Sequence, residues 1–153
     1  MSLATVRASV QTFLATVSGI GQVHDYVRLV QNEAEIKALL LKSGVMHCWF
    51  LTLSESDPVI SVRERASTPF RLYAFDFHGY MAVEDATASE KVFATVCEAV
   101  IETFAADKRL ANTVVDCSPV QWRQHQHRML VEVLCHYAQL STRVKVPTAA
   151  EAA

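Results

Sequence analysis

The chain is poor in the residues that break regular structure, with four glycines and four prolines among 153 residues. That scarcity excludes collagen-like and low-complexity chains and leaves room for long helices and strands. An excess of one charge is also missing: 14 basic residues against 16 acidic give a net charge of −2, with the six histidines neutral. Phosphate backbones and anionic membranes attract a basic stripe, so no nucleic-acid contact is expected. No run approaches the roughly 18 apolar residues of a membrane span. Met1-Ser2-Leu3-Ala4-Thr5-Val6-Arg7 lacks the basic region and apolar stretch of a signal peptide. The expected setting is therefore intracellular, soluble and free of membrane. There Cys48, Cys97, Cys117 and Cys135, widely spaced and mostly within apolar runs, are expected to be reduced, buried thiols.

Apolar material is plentiful, at 51% hydrophobic against 20% charged residues. It suffices for one packed domain over residues 1–147, with the alanine-rich end 148–153 as a flexible tail. Leu3, Val6, Val10, Phe13/Leu14 and Val17 recur at steps of three and four, which predicts a helix capped by Ser2 and ended by Ser18-Gly19. Asn32-Glu33-Ala34-Glu35 reads as a capping box ahead of Ile36, Leu39 and Leu40, a short helix stopping near Ser43-Gly44. The aromatic and branched run Val45 to Leu53 predicts a strand, as does Phe70 to about Tyr80. Both faces of the latter are apolar, so the one with Tyr73, Phe75 and Phe77 is expected to pack partly against a neighbouring subunit.

A second capping box, Thr87-Ala88-Ser89-Glu90, opens the strongest stripe in the chain. Val92/Phe93, Val96/Cys97, Val100/Ile101 and Phe104 form one face of a long helix ending around Asp107-Lys108. Val114-Val115 and Val120 to about Met129 read as extended, broken by Ser118-Pro119, and a final strand runs from Val131 to Val146. The resulting fold class is α+β: a mostly antiparallel sheet of about four strands with two main helices on one face, plus a short helix.

The groups able to do chemistry are dispersed. Gly19-Ile20-Gly21 follows a helix instead of a strand, and His24 stands where a dinucleotide loop needs its third glycine, so it reads as a helix-ending turn. His125 and His127 share a face if their segment is a strand, since side chains repeat every second residue. A zinc site needs at least a third ligand; Cys117 and Glu132 are conceivable, but nothing fixes their position, and a solvated polar strand accounts for the pair. Cys135-His136 and His47-Cys48 are adjacent strand residues that point to opposite faces and cannot pair. A thiol and its base would have to come from afar, as in Cys97 with His78 or Cys48 with His136. Asp76, Glu84 and Asp85 offer carboxylates, but Glu84-Asp85 precedes a helix, where negative charge is favourable in its own right. No residue is assigned a catalytic, cofactor-binding or metal-binding role, and no cofactor or enzymatic activity is expected. The alternatives are a small metal- or thiol-dependent enzyme and a small-ligand binding module of α+β type.

Three stretches together resemble the phage and prophage tail proteins of the terminator or completion (minor tail) type. They are Gly19-Ile20-Gly21-Gln22-Val23-His24-Asp25-Tyr26, then Phe70-Arg71-Leu72 through Gly79-Tyr80 to Asp85-Ala86 and Ser89-Glu90, and Leu134-Cys135-His136-Tyr137-Ala138-Gln139-Leu140. The resemblance implies a structural protein without an active site. Its subunits would form a homo-oligomeric ring that caps the tail tube and contacts the head–neck connector. It would be made in the host cytoplasm and reside in the virion tail. The polar segment Ser54 to Ser67, with Arg63 and Arg65, is either a flexible arm toward the tube or an ordinary solvated loop.

Overall fold

A computed structural model describes residues 1–26, 34–35, 38, 41–42, 45–56 and 70–147. The capping residues Asn32 and Glu33, the apolar Ile36, Leu39 and Leu40, the stop at Ser43-Gly44, the arm bearing Arg63 and Arg65, and the tail 148–153 lie outside these. Ala34, Glu35 and Ala38 are helical, in keeping with the short helix expected there. That helix ends earlier than expected, because Leu41 and Lys42 are already extended.

Helix α1 (Leu3–Ala15) begins where the Ser2 hydroxyl accepts the Thr5 N–H at 3.2 Å, and it buries Val6, Val10 and Leu14 as their spacing requires. It closes at Thr16, before Ser18. Helix α2 (Ser89–Ala106) buries Phe93, Val96, Cys97, Val100 and Phe104, the stripe read from the sequence. Its expected capping box is not formed. Ala88 occupies the cap in the left-handed region at φ 52°, and the Thr87 hydroxyl donates instead to the Glu84 carbonyl. The chain has to turn sharply out of the sheet here, through a 3-10 turn at Asp85–Thr87. That geometry takes the cap away from Thr87.

Among the described residues seven strands form the sheet: β1 (Gln22–His24), β2 (Leu41–Lys42), β3 (Val45–Ser56), β4 (Phe70–Ala82), β5 (Asp116–Cys117), β6 (Gln121–Leu130) and β7 (Val133–Pro147). The path runs β1-β3-β4-β7-β5, with β2 on β3 and β6 on β7. The expected mostly antiparallel sheet of about four strands is matched in part, by the long strands β3, β4, β6 and β7. The extra ones are short pieces, such as Gln22–His24, that carry too few residues to show a period. The sheet is mixed because β1 lies parallel to β3, while the remaining pairs are antiparallel.

One face of this sheet carries both helices. Val6, Val10 and Leu14 of α1 join Phe93, Val96 and Phe104 of α2, and Trp49, Leu51, Phe75, Phe77, Leu140 and Val144 of the sheet, in a single core. Tyr73, Phe75 and Phe77 are therefore interior, between 0 and 3% exposed, and are not an intersubunit surface. Strand β4 sits between β3 and β7, so its helix-facing row is covered by the chain's own helices. On the open face a smaller cluster of Met46, Cys48, Phe50 and Cys135 covers one end. That cluster is why β7 is apolar on both sides there.

Strands β6 and β7 form a hairpin in which Leu130 pairs with Val133, leaving Val131 and Glu132 as a two-residue turn. Both have positive φ, 49° and 63°, as a type I′ turn requires. The final strand consequently starts two residues later than expected. Left-handed backbone costs a non-glycine residue about 1–2 kcal/mol, against about 0.5–1 kcal/mol of extra chain entropy for glycine. Glu132→Gly is thus expected to stabilise the protein by roughly 0.5 kcal/mol, seen as a higher urea midpoint with an unchanged slope.

Candidate functional site

Strand β6 of the β6–β7 hairpin is the least covered strand among the described residues. Gln121 through Met129 are all exposed, nine residues in succession. One edge of β6 bonds β7; among the described residues nothing pairs its other edge. A bulge between Trp122 and Gln124 interrupts the register, so the run below it alternates cleanly. Gln124, Gln126 and Arg128 lie on the open face, where the Arg128 guanidinium sits 3.9 Å above the Tyr137 ring. His125, His127 and Met129 lie on the helix face, opposite Ala138, His136 and Leu134. Met129 is 63% exposed and its cross-strand partner Leu134 48%, with Val83 also exposed and bonded through its N–H to the Leu134 carbonyl. The hairpin end is thus an apolar tip on a polar, weakly basic strand.

The expectation that His125 and His127 share a face holds, and the fold adds two further imidazoles. Phe93 of α2 has four rings within about 6 Å of its own: Trp49 and His136 at 6.0 Å, His125 at 6.2 Å and His47 at 6.4 Å. His127 reaches the cluster through His136, at 5.1 Å. The Trp49 indole N–H donates to His47 Nε2 at 3.2 Å. His136 is 3% exposed; its Nε2 lies 2.8 Å from the Ser89 hydroxyl, which also accepts the Glu84 N–H at 2.8 Å. Burial pulls the His136 imidazole below its ordinary range, neighbouring His127 adds to this, Glu90 opposes it, and His125 lowers it further. Its Nδ1 is buried without a partner among the described residues. Ser89 and His136 therefore contact each other, but among the described residues no carboxylate is bonded to the ring to orient it as a nucleophile's base requires. A cleft of about 430 Å³ runs beside this pair, lined by Val83, Asp85, Glu90, Lys91 and His127.

Sequence reasoning found His125 and His127 but missed His47 and His136 as their neighbours. The period of two placed each on a face; only the strand order brought the faces of β3, β6 and β7 together under one phenylalanine. Among the described residues no three histidines, cysteines or acids stand in a metal-holding arrangement. Cys117, considered as a third ligand, is buried in the main core on β5, and Glu132 lies in the hairpin turn.

The sheet itself separates the thiols from the candidate bases. Cys135 and Cys48 sit in the small cluster on the open face, while His136 and His47 sit on the helix face. Cys97 belongs to the helix-side core, whereas His78 is on the open face, bonded to Tyr137 Oη through Nδ1 at 2.7 Å and to the Thr52 hydroxyl through Nε2 at 2.9 Å. Neither distant pairing considered from the sequence is in contact. Burial pushes the thiols of Cys48, Cys97 and Cys117 up to about 12 and that of Cys135 to about 11, so the nucleophilic thiolate is scarce at neutral pH. Asp76 lines a polar groove of about 750 Å³ on the open face with Arg123, Gln139, Ser141 and Arg143; Asp85 lines the histidine cleft. Gly21 has a φ of 79° and lies against His47, whose carbonyl oxygen would be 2.5 Å from an added Cβ. Close backbone packing accounts for that glycine.

Comparison with models of known protein families and with characterised proteins finds no match to this chain.

Proposed function

We propose that this protein is a structural assembly subunit of the phage-tail terminator or completion type, which associates with copies of itself to cap the tail tube and meet the head–neck connector. The observation that carries the self-association is β6, an edge strand of ten residues with one edge unpaired among the described residues and nine successive side chains in solvent. Such an edge is a template for pairing with another chain, and proteins that stay monomeric keep edge strands short or covered. Trp122, Arg123, Arg128 and Met129 are residue types enriched at interface cores, and the tip formed by Met129, Leu134 and Val83 supplies apolar area beside the edge. The three-stretch resemblance supplies the tail role.

Tests follow at two levels. Light scattering coupled to size exclusion is expected to show concentration-dependent oligomers. The double variant Trp122→Glu/Met129→Glu should remain monomeric at every concentration while keeping its urea midpoint within about 0.5 kcal/mol, because both side chains are exposed. A wild-type chain that stays monomeric even with tail tube added would reject the reading. So would purified tails that lack the protein and keep their length when its gene is deleted.

A further inference from the structure

We propose that His125, His127 and His136 form an acid-sensitive latch that holds the edge strand β6 against β7 and α2 at neutral pH and releases it on acidification, so that β6 is positioned for self-association only when His136 is neutral. The regulatory half of this rests on the assembly reading above; the latch itself does not. Three imidazoles meet on the helix face of one hairpin, His127 5.1 Å from His136 and His125 6.2 Å from Phe93, which stacks on His136 at 6.0 Å. The hairpin's hold on α2 includes these ring contacts and the 2.8 Å bond between His136 and Ser89. Few apolar side chains of β6 reinforce it, since nine of its ten residues are exposed. Strand β7 is paired along its length with β4 and buries Tyr137, Ala138 and Leu140, so the strand free to open is β6. A segment held this way opens at less cost than the core behind it.

The groups facing His136 set the direction of the response. From β6 come His127 and His125, from α2 Glu90 and Lys91 as well as Ser89, from the 3-10 turn Asp85, and from β3, across Phe93, His47. Glu90 and Asp85 favour a proton, whereas burial, the two neighbouring imidazoles and Lys91 resist it. The balance holds His136 below 6.5. Above about pH 6.5 the imidazole is neutral whether β6 is docked or released, and the docked state keeps its full advantage. As pH falls below that, the released state takes up a proton that the docked one refuses. The advantage then declines until the lowered value of the docked state is reached.

The experiment is hydrogen exchange by mass spectrometry on the whole chain at about pH 7.5 and about pH 5.5, corrected for intrinsic rates, with native mass spectrometry on the same samples. Protection of amides 121–130 is expected to fall more than that of α1, by up to about tenfold, the most that one refused proton gives per pH unit. In His125→Gln/His127→Gln, whose positions are exposed and tolerant, the loss should begin at the same pH but be smaller and level off sooner, because the docked value of His136 rises while its released value is unchanged. In His136→Phe, which keeps a ring on Phe93, the pH dependence should disappear. Equal loss of protection in β6 and in α1 means global acid unfolding and overturns the latch, as does a β6 indifferent to pH. A β6 that opens in acid in a chain that never associates at neutral pH upholds the latch and sinks the assembly reading instead. An oligomer at neutral pH that persists unchanged in acid, with β6 open, overturns the coupling between the two.

Discussion

Gly79→Ala should destabilise the protein by about 3 kcal/mol, the upper end of what overpacking a filled core costs. A Cβ built on Gly79 lies 2.6 Å from both Cζ2 and Cη2 of Trp49. The two residues are register partners at the centre of the sheet, and the indole crosses the glycine on the helix face. Trp49 is fully buried, with Phe93 packed 6.0 Å away and its N–H held by His47, so the ring has no free direction in which to move. Urea denaturation reads the effect as a fall in midpoint at constant slope. Trp49→Phe removes the ring atoms in question and leaves a void of its own. The double variant Gly79→Ala/Trp49→Phe should consequently lose less than the sum of the single losses, the coupling expected of residues in contact. A single Gly79→Ala variant as stable as the parent would show that the indole can shift.

Phe93→Ala is expected to cost about 3–5 kcal/mol, the usual range for emptying a buried phenylalanine site. Phe93 is 0% exposed and touches Trp49 and His47 from β3, His125 from β6 and His136 from β7. Its loss should therefore do more than lower the midpoint. Exchange protection of the β6–β7 hairpin ought to drop further than that of α1, whose contacts with Phe104 and the sheet survive, as in the edge-on pair of Phe13 and Phe104 at 5.0 Å. Phe93→Leu refills much of the volume without a ring for the imidazoles to stack on. It should recover most of the global stability but little of the hairpin's protection. Uniform loss across the chain in both variants would place Phe93 in the general core and nowhere else.

The two substitutions differ in how readable their cause is. Phe93 lies in a stripe with Val96, Cys97, Val100 and Phe104, and helix periodicity by itself marks it as buried. Gly79 is a glycine inside a strand, a pattern that signals close approach of another group without naming it. Trp49 is thirty positions away, and only the β3–β4 register joins the two. The same distinction runs through the candidate site. His125 and His127 share a face by strand geometry alone, yet their meeting with His136 depends on a tight hairpin whose turn, Val131-Glu132, has no glycine or asparagine to announce it. The aromatic row Tyr73, Phe75 and Phe77 was legible as buried, but whether helices or a second subunit bury it was not.

Periodicity and composition were enough to establish an α+β chain, the buried faces of α1 and α2, the extended runs that become β3, β4 and β7, and the placement of neighbouring thiols and imidazoles on opposite sides. These follow from the backbone repeat, which acts over a few residues and is written locally. Strand order, the parallel placement of β1, the seating of Trp49 on Gly79, the gathering of imidazoles around Phe93 and the uncovered edge of β6 came from the folded chain. They are contacts between segments far apart in sequence, chosen by how well whole faces pack, and no local pattern encodes that choice.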